Sequence, residues 1–291
     1  MTIELDEGTL KRAGSGPPLY YASAMPSGTA RAVLGVIHGY AEHGARYAHV
    51  MGALAEHGIG SVAIDLRGHG RAQGIRGYCS RFGEFLDDAR ELRRLAEDRA
   101  AQAGGAPTLL FGHSFGGLVA ALSALDDHGP LHPRPWKGLV LSAPFFGLGL
   151  DVPAIKIAAG KLASRIYPKL ALPSGLEGKD MTHDLEKAKE YDADPLVFKN
   201  ATARWFTETA AAQQRALSLA SRLTLPLYMT MGTADKVAST KAAKRFFDAA
   251  GSADKTWDPR EGLFHEVLNE PSWKDIVENI ARWVRAHASS A

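Results

Sequence analysis

Two rhythms of apolar and polar positions alternate along the chain. Short unbroken apolar runs, suited to strands buried on both faces, occur at Ala32-Val33-Leu34-Gly35-Val36-Ile37, Ser61-Val62-Ala63-Ile64, Thr108-Leu109-Leu110-Phe111, Gly138-Leu139-Val140-Leu141 and Leu225 to Met231. Between them lie segments with helical periodicity. From Phe82 to Ala103, the residues Phe82, Phe85, Leu86, Ala89, Leu92 and Leu95 share one face while Asp87, Arg90, Glu91, Arg93, Arg94 and Glu97 sit mostly opposite. Further helices are predicted from about Arg46 to His57, Ser239 to Ala250 and Pro271 to His287, the last with Trp273, Ile276, Val277, Ile280 and Val284 on one face. This alternation predicts an α/β fold: a mostly parallel central sheet with right-handed crossovers and helices on both faces. Two extended pieces around Gly14-Ser15-Gly16-Pro17-Pro18 predict an antiparallel hairpin ahead of it, and a last short strand is expected near Lys255 to Asp258.

The rhythm breaks from Phe145 to about Ala220. No strand-like run appears there over a length far beyond ordinary loops, which predicts a helical cap inserted above the sheet. The expected division is a core of residues 1–144 and 221–291 with a cap of residues 145–220. In the cap, Ile155, Ala158, Ala159, Leu162 and Ile166 form one helical stripe, with Lys156, Lys161 and Arg165 off it. Such a helix could dock on an interface or simply pack on the cap's other helices; the pattern leaves both open.

Composition narrows the function classes. A formal net charge of +2 supplies no general pull towards nucleic acid, so no nucleic-acid partner is expected. The single cysteine, Cys79, cannot form an internal disulfide and reads as a small packing residue. The amino-terminal stretch lacks a basic region followed by an apolar run, and no segment approaches the roughly 18–20 apolar residues of a membrane span. The default location is therefore cytoplasmic, with peripheral membrane contact through the cap as an alternative. His43 has no Cys, Asp or Glu partner at a convincing metal-ligand spacing and reads as a hydrogen-bonded structural histidine; no metal is expected. Oligomeric state is not read from the sequence.

The candidate chemistry sits at strand ends, which face the ligand crevice in open α/β sheets. At Gly112-His113-Ser114-Phe115-Gly116 a buried-type strand turns directly into a helix rich in Ala, Leu and Val. A turn that short strains its central residue and needs small neighbours, which resembles the nucleophile elbow of α/β-hydrolases with Ser114 as nucleophile. A serine hydroxyl needs a base, and the base needs an orienting acid. Of the later histidines, His128 and His132 follow the elbow helix, His183 lies in the cap and His287 at the polar end of the closing helix; His265 alone follows the last strand. Asp235 stands on a tight turn after an apolar strand on the way to it. The expected triad is Ser114, Asp235 and His265, and the expected oxyanion hole is the backbone N–H of Phe115 and of Tyr40.

Four separated segments together carry a family resemblance: His38-Gly39-Tyr40-Ala41-Glu42-His43 with Arg46-Tyr47, Asp65-Leu66-Arg67-Gly68-His69-Gly70, Gly112 to Gly117, and Gly232-Thr233-Ala234-Asp235 with His265-Glu266. With Asp194-Pro195-Leu196-Val197 in the cap, the chain resembles the monoacylglycerol lipase and lysophospholipase branch of the α/β-hydrolases, related to the serine aminopeptidases. The family's common H-G-x-G-E-H reads here with Tyr40 and with Ala41 in place of glycine. The resemblance implies a serine hydrolase without a dissociable cofactor, cleaving a small acyl ester or monoacylglycerol through an acyl-enzyme. It also implies that Glu42 and Arg46 hold the glycerol end of the substrate; a salt bridge beneath the loop is the alternative. Lysophospholipase, small-ester carboxylesterase and proline-type aminopeptidase activity remain open, as does a non-catalytic binder on the same fold.

Overall fold

The computed structural model describes residues 5–13, 16–126, 136–149 and 154–288. Strands β1 (Asp6–Leu10) and β2 (Leu19–Ala24) form the expected antiparallel hairpin, whose turn residues Gly14 and Ser15 lie outside the described residues. Then come β3 (Ala32–Ile37), α1 (Ala48–Glu56), β4 (Ile59–Asp65), α2 (Gly83–Gln102), β5 (Thr108–His113), α3 (Ser114–Asp126) and β6 (Leu139–Ser142). An insertion follows, with α4 (Ala154–Ile166), β7 (Ala171–Pro173), α5 (Leu185–Ala193), β8 (Asn200–Thr202) and α6 (Ala203–Leu219). The chain closes with β9 (Leu227–Gly232), α7 (Thr240–Ala249), β10 (Lys255–Arg260) and α8 (Trp273–Ala288).

The central sheet has eight strands in the order β1-β2-β4-β3-β5-β6-β9-β10. From β4 to β10 every pairing is parallel, and only the hairpin at one edge runs antiparallel. Alternate residues of β3 enter different layers. Val33 and Ile37 pack with Phe85 and Leu92 of α2 and Leu118 of α3, whereas Leu34 and Val36 pack with Met51 of α1 and Ile280 of α8. Two-sided burial is why these strands read as unbroken apolar runs. The inserted segment also holds a small antiparallel ribbon of β7 and β8, each three residues long, which is too short to leave a periodic signal.

The chain leaves β3 to build β4 on one side, then crosses to β5 on the other, so the loops after β3 and β5 diverge at a switch point of the sheet. Ligand crevices of doubly wound sheets lie there. Among the described residues no helix is long and apolar enough to cross a membrane, and no group of three or more His, Cys, Asp or Glu could hold a metal ion.

Candidate active site

β5 passes into α3 with no intervening residue, and Ser114 at the junction has φ +51°. A side chain in that left-handed region costs roughly 1–2 kcal/mol, so the surroundings must impose it. They do so by crowding: a Cβ on Gly112 would lie 2.4 Å from the Gly116 carbonyl oxygen, and one on Gly116 would lie 2.3 Å from the carbonyl oxygens of Ile37 and His38. The N–H of Phe145 donates to the Ser114 carbonyl at 2.9 Å, fixing the corner to the chain leaving β6.

His265 Nε2 stands 2.8 Å from Ser114 Oγ, and His265 Nδ1 stands 2.7 Å from Asp235 Oδ2. Because a carboxylate only accepts, Nδ1 carries the proton and Nε2 is free to accept from the hydroxyl. Asp235 is fixed in turn, its Oδ1 accepting the N–H groups of Val237 at 2.8 Å and Ala238 at 2.9 Å. All three side chains are buried. Burial opposes a charge on His265, but the Asp235 charge and hydrogen bond, aided by Glu266 and Glu42, outweigh it and raise the imidazole above its ordinary value. The neighbouring His113, whose ring centroid is 5.0 Å from that of His265, is driven the other way, to about 4, by burial and then by His265 itself.

The loop after β3 runs against this corner, a Cβ on Gly39 falling 3.3 Å from Ser114 Cβ. Leu66 N–H donates to His38 Nε2 at 3.0 Å, so His38 Nδ1 carries the proton and donates to the Gly39 carbonyl at 2.7 Å. In a trans peptide the C=O and the next N–H point oppositely, so this bond also fixes the direction of the Tyr40 N–H. The Phe115 N–H lies in the first turn of α3, where helix N–H groups have no intrahelical acceptor.

Glu42 and Arg46 are occupied within the protein. Glu42 accepts from the Gly39 N–H at 2.5 Å, from the Tyr47 hydroxyl at 2.8 Å and from Arg46 Nη1 at 2.5 Å. Burial opposes its charge, yet the Arg46 guanidinium, with help from His113, His38 and Tyr47, holds its carboxyl well below the usual carboxylate range. Arg46 also grips Glu266 with both terminal nitrogens and covers the Tyr191 ring at 4.8 Å. The geometry is that of a salt bridge beneath the loop, and Arg46 also borders a recess of about 480 Å³ beside α5.

The other histidines have separate duties. His43 Nε2 pairs with Asp194 Oδ2 at 2.8 Å, joining the loop after β3 to the insertion. His69 is buried with Nδ1 2.9 Å from the Arg67 carbonyl, and burial, then His38, depress it to about 3. His183 pairs with Glu270 and stacks on Phe264, while His287 pairs with Asp254. His128 and His132 lie outside the described residues. Sequence reasoning gave no role to Glu266 or Glu270. Buried Glu270 accepts from the N–H groups of His183 and Phe264, which ties the insertion to the loop carrying His265. The position of Glu266 beside the expected base was the one available signal.

Taken together, a buried hydroxyl, a base that can accept its proton, a carboxylate to stabilise the resulting imidazolium and two N–H groups nearby can support acyl transfer.

Residues 28–272 match the family model described as serine aminopeptidase, S33. A monoacylglycerol lipase of Mycolicibacterium smegmatis is 28% identical, the match covering 94% of this chain and 94% of that protein. An uncharacterized abhydrolase domain-containing protein of Dictyostelium discoideum is 30% identical over 89% of this chain, which spans only 27% of that protein's length. Among solved structures, the monoacylglycerol lipase of Paleococcus ferrophilus superposes with a TM-score of 0.76 at 27% identity, covering 98% of this chain and 100% of that one. The fold is that of the α/β-hydrolases.

Proposed function

The chain belongs to the serine aminopeptidase family, and from that premise we propose that it hydrolyses carboxylic esters of the monoacylglycerol class, with Ser114 as nucleophile, His265 as base and Asp235 as its orienting acid. The observation that carries this reading is the buried, continuous hydrogen-bonded chain from Ser114 Oγ through His265 to Asp235. In the first half-reaction His265 Nε2 takes the hydroxyl proton as Ser114 Oγ attacks the ester carbonyl. The N–H groups of Tyr40 and Phe115 stabilise the tetrahedral oxyanion, a contribution worth roughly 3–4 kcal/mol per donor where one has been removed elsewhere. His265 then returns the proton to the departing alkoxide, leaving an acyl-Ser114 ester. Water enters, gives a proton to His265 Nε2 and attacks the acyl carbon, and collapse of the second intermediate frees the fatty acid as the proton returns to Ser114.

Substrate choice is assigned to residues 145–220 acting as a cap. On α4, Ile155, Leu162 and Ile166 are 79%, 59% and 59% exposed, with Lys161 and Arg165 beside them in solvent. The opposite side packs on α6, where Ser164 bonds Thr207 and Gly160 faces Phe206. The stripe is therefore not spent on cap packing, which supports a face that meets a lipid aggregate; the side chain of Lys156 lies outside the described residues. The test is a panel of 4-nitrophenyl esters from short to long chain beside monoacylglycerol, lysophospholipid and a proline amide. Preference for monoacylglycerol is expected; faster turnover of lysophospholipid or the amide would replace the substrate class.

A further inference from the structure

The loop that carries the Tyr40 N–H holds Ala41 at φ +66°, a left-handed conformation that an alanine does not favour on its own. Within the loop the bonds from His38 and Glu42 reach only Gly39, so contacts from beyond the loop help to hold Ala41 there. The side chain of Tyr40 leaves the loop and enters the insertion: its hydroxyl donates to the Asn200 carbonyl at 2.8 Å, and its ring stacks on Trp205 at 3.7 Å and meets Phe198 edge-on at 5.3 Å. The Phe198 N–H, from the same stretch, donates to the Ala41 carbonyl at 3.1 Å. The chain leaves room for the hydroxyl. Gly77, at φ +59°, would place a Cβ 2.3 Å from it.

We propose that the Tyr40 side chain is a positioning residue: anchored on Asn200 and Trp205 of the insertion, it keeps the strained loop in the conformation that aims the Tyr40 N–H at the oxyanion. The inference rests on the ester-hydrolase reading above. It makes formation of the oxyanion hole depend on the segment from Phe198 to Trp205 remaining docked.

The test uses 4-nitrophenyl butyrate, active-site titration with a fluorophosphonate and inhibition by an alkyl boronic acid. Tyr40→Phe, which keeps the stack and removes the anchor to Asn200, is expected to lower kcat per titrated site about five- to tenfold, with KM within about twofold and boronate affinity falling in parallel. Ala41→Gly removes the strain, so in the Tyr40→Phe background it should restore kcat by about threefold or more. Full kcat in Tyr40→Phe, or effects of the two substitutions that simply multiply, would overturn the inference, even if the melting temperature fell. A wild-type protein that is neither labelled nor active would remove the hydrolase reading and the inference with it.

Discussion

Arg46 holds Glu266 with both terminal nitrogens, at 2.7 and 2.8 Å, and Glu266 is the residue that follows His265. Its Nη1 also bonds Glu42, the residue that accepts from Gly39 in the loop after β3. One buried cation thus clasps two carboxylates from loops remote in sequence, and the three charges are tolerable only together.

Removing the cation should therefore be a stability lesion. Arg46→Ala strands two buried carboxylates, and urea unfolding is expected to report a loss of about 3–5 kcal/mol, with Glu266→Gln losing less. If Arg46 instead holds a glycerol head group, the folded fraction of Arg46→Ala would show a raised KM for monoacylglycerol and an unchanged KM for 4-nitrophenyl butyrate. Equal KM values relative to wild type on both substrates are expected.

Ser114→Ala should fold normally and lose fluorophosphonate labelling and at least three orders of magnitude of ester turnover, as on removal of a triad member. His265→Ala is expected to cost a similar factor. His69→Asn should keep the chemistry, because His69 spends its ring on the Arg67 carbonyl rather than on Ser114. More than a tenth of the activity surviving in Ser114→Ala would end the assignment.

Activity and stability should respond to acid through different histidines. His265 must be neutral to accept a proton, and its raised pKa places the acid limb of kcat/KM above the ordinary histidine value. Asp235→Asn should move that limb down while lowering the rate. For stability the same raised pKa favours the folded protein below the unfolded value, and that gain is lost as pH rises through the folded one. His69 and His113, depressed to about 3 and about 4, act oppositely: between about pH 6.5 and those values only the unfolded chain binds their protons, so stability falls as pH falls. At pH 5 each contributes a loss of about 2 kcal/mol relative to neutral pH. Denaturant titrations at pH 7 and pH 5, on wild type and His69→Asn, measure this; an unchanged difference in the variant would refute it.

Replacing Ile155 and Leu162 by Ser should weaken binding to anionic vesicles and slow turnover of aggregated monoacylglycerol, while a soluble short ester is hydrolysed at nearly the wild-type rate. Since both side chains already face solvent, the melting temperature should barely change. Equal losses on soluble and aggregated substrates would remove the interfacial role.

The central sheet was legible because strands covered on both faces must be apolar throughout, and the candidate triad because Ser114 and Asp235 each stand just past such a strand while His265 follows the last, more polar strand β10. What was not legible lies between residues remote in sequence. Glu270 reaches His183 across 87 positions and Arg46 reaches Glu266 across 220, and neither spacing leaves a periodic trace. Tyr40 was read for its backbone alone, since its anchor Asn200 stands 160 residues away in a three-residue strand. Glu42 and Arg46 could be read two ways, and the position of Glu266, which supports the salt bridge, was not visible in the spacing.

The insertion leaves the sheet after β6 and rejoins it at β9, and these two strands are parallel neighbours. Parallel neighbours need a long crossover in any case, so everything from residue 145 to 220 occupies a connection whose length the hydrogen-bond ladder does not constrain. Transplanting that crossover from a relative would leave the strand order untouched. The graft would also have to meet the groups that the scaffold offers to this segment, among them the hydroxyl of Tyr40, the ring of His43, the carboxylates of Asp126 and Glu270 and the guanidinium of Arg46. If residues 145–220 choose the substrate as proposed, substrate range in this scaffold is a replaceable module, and side chains such as these are its socket.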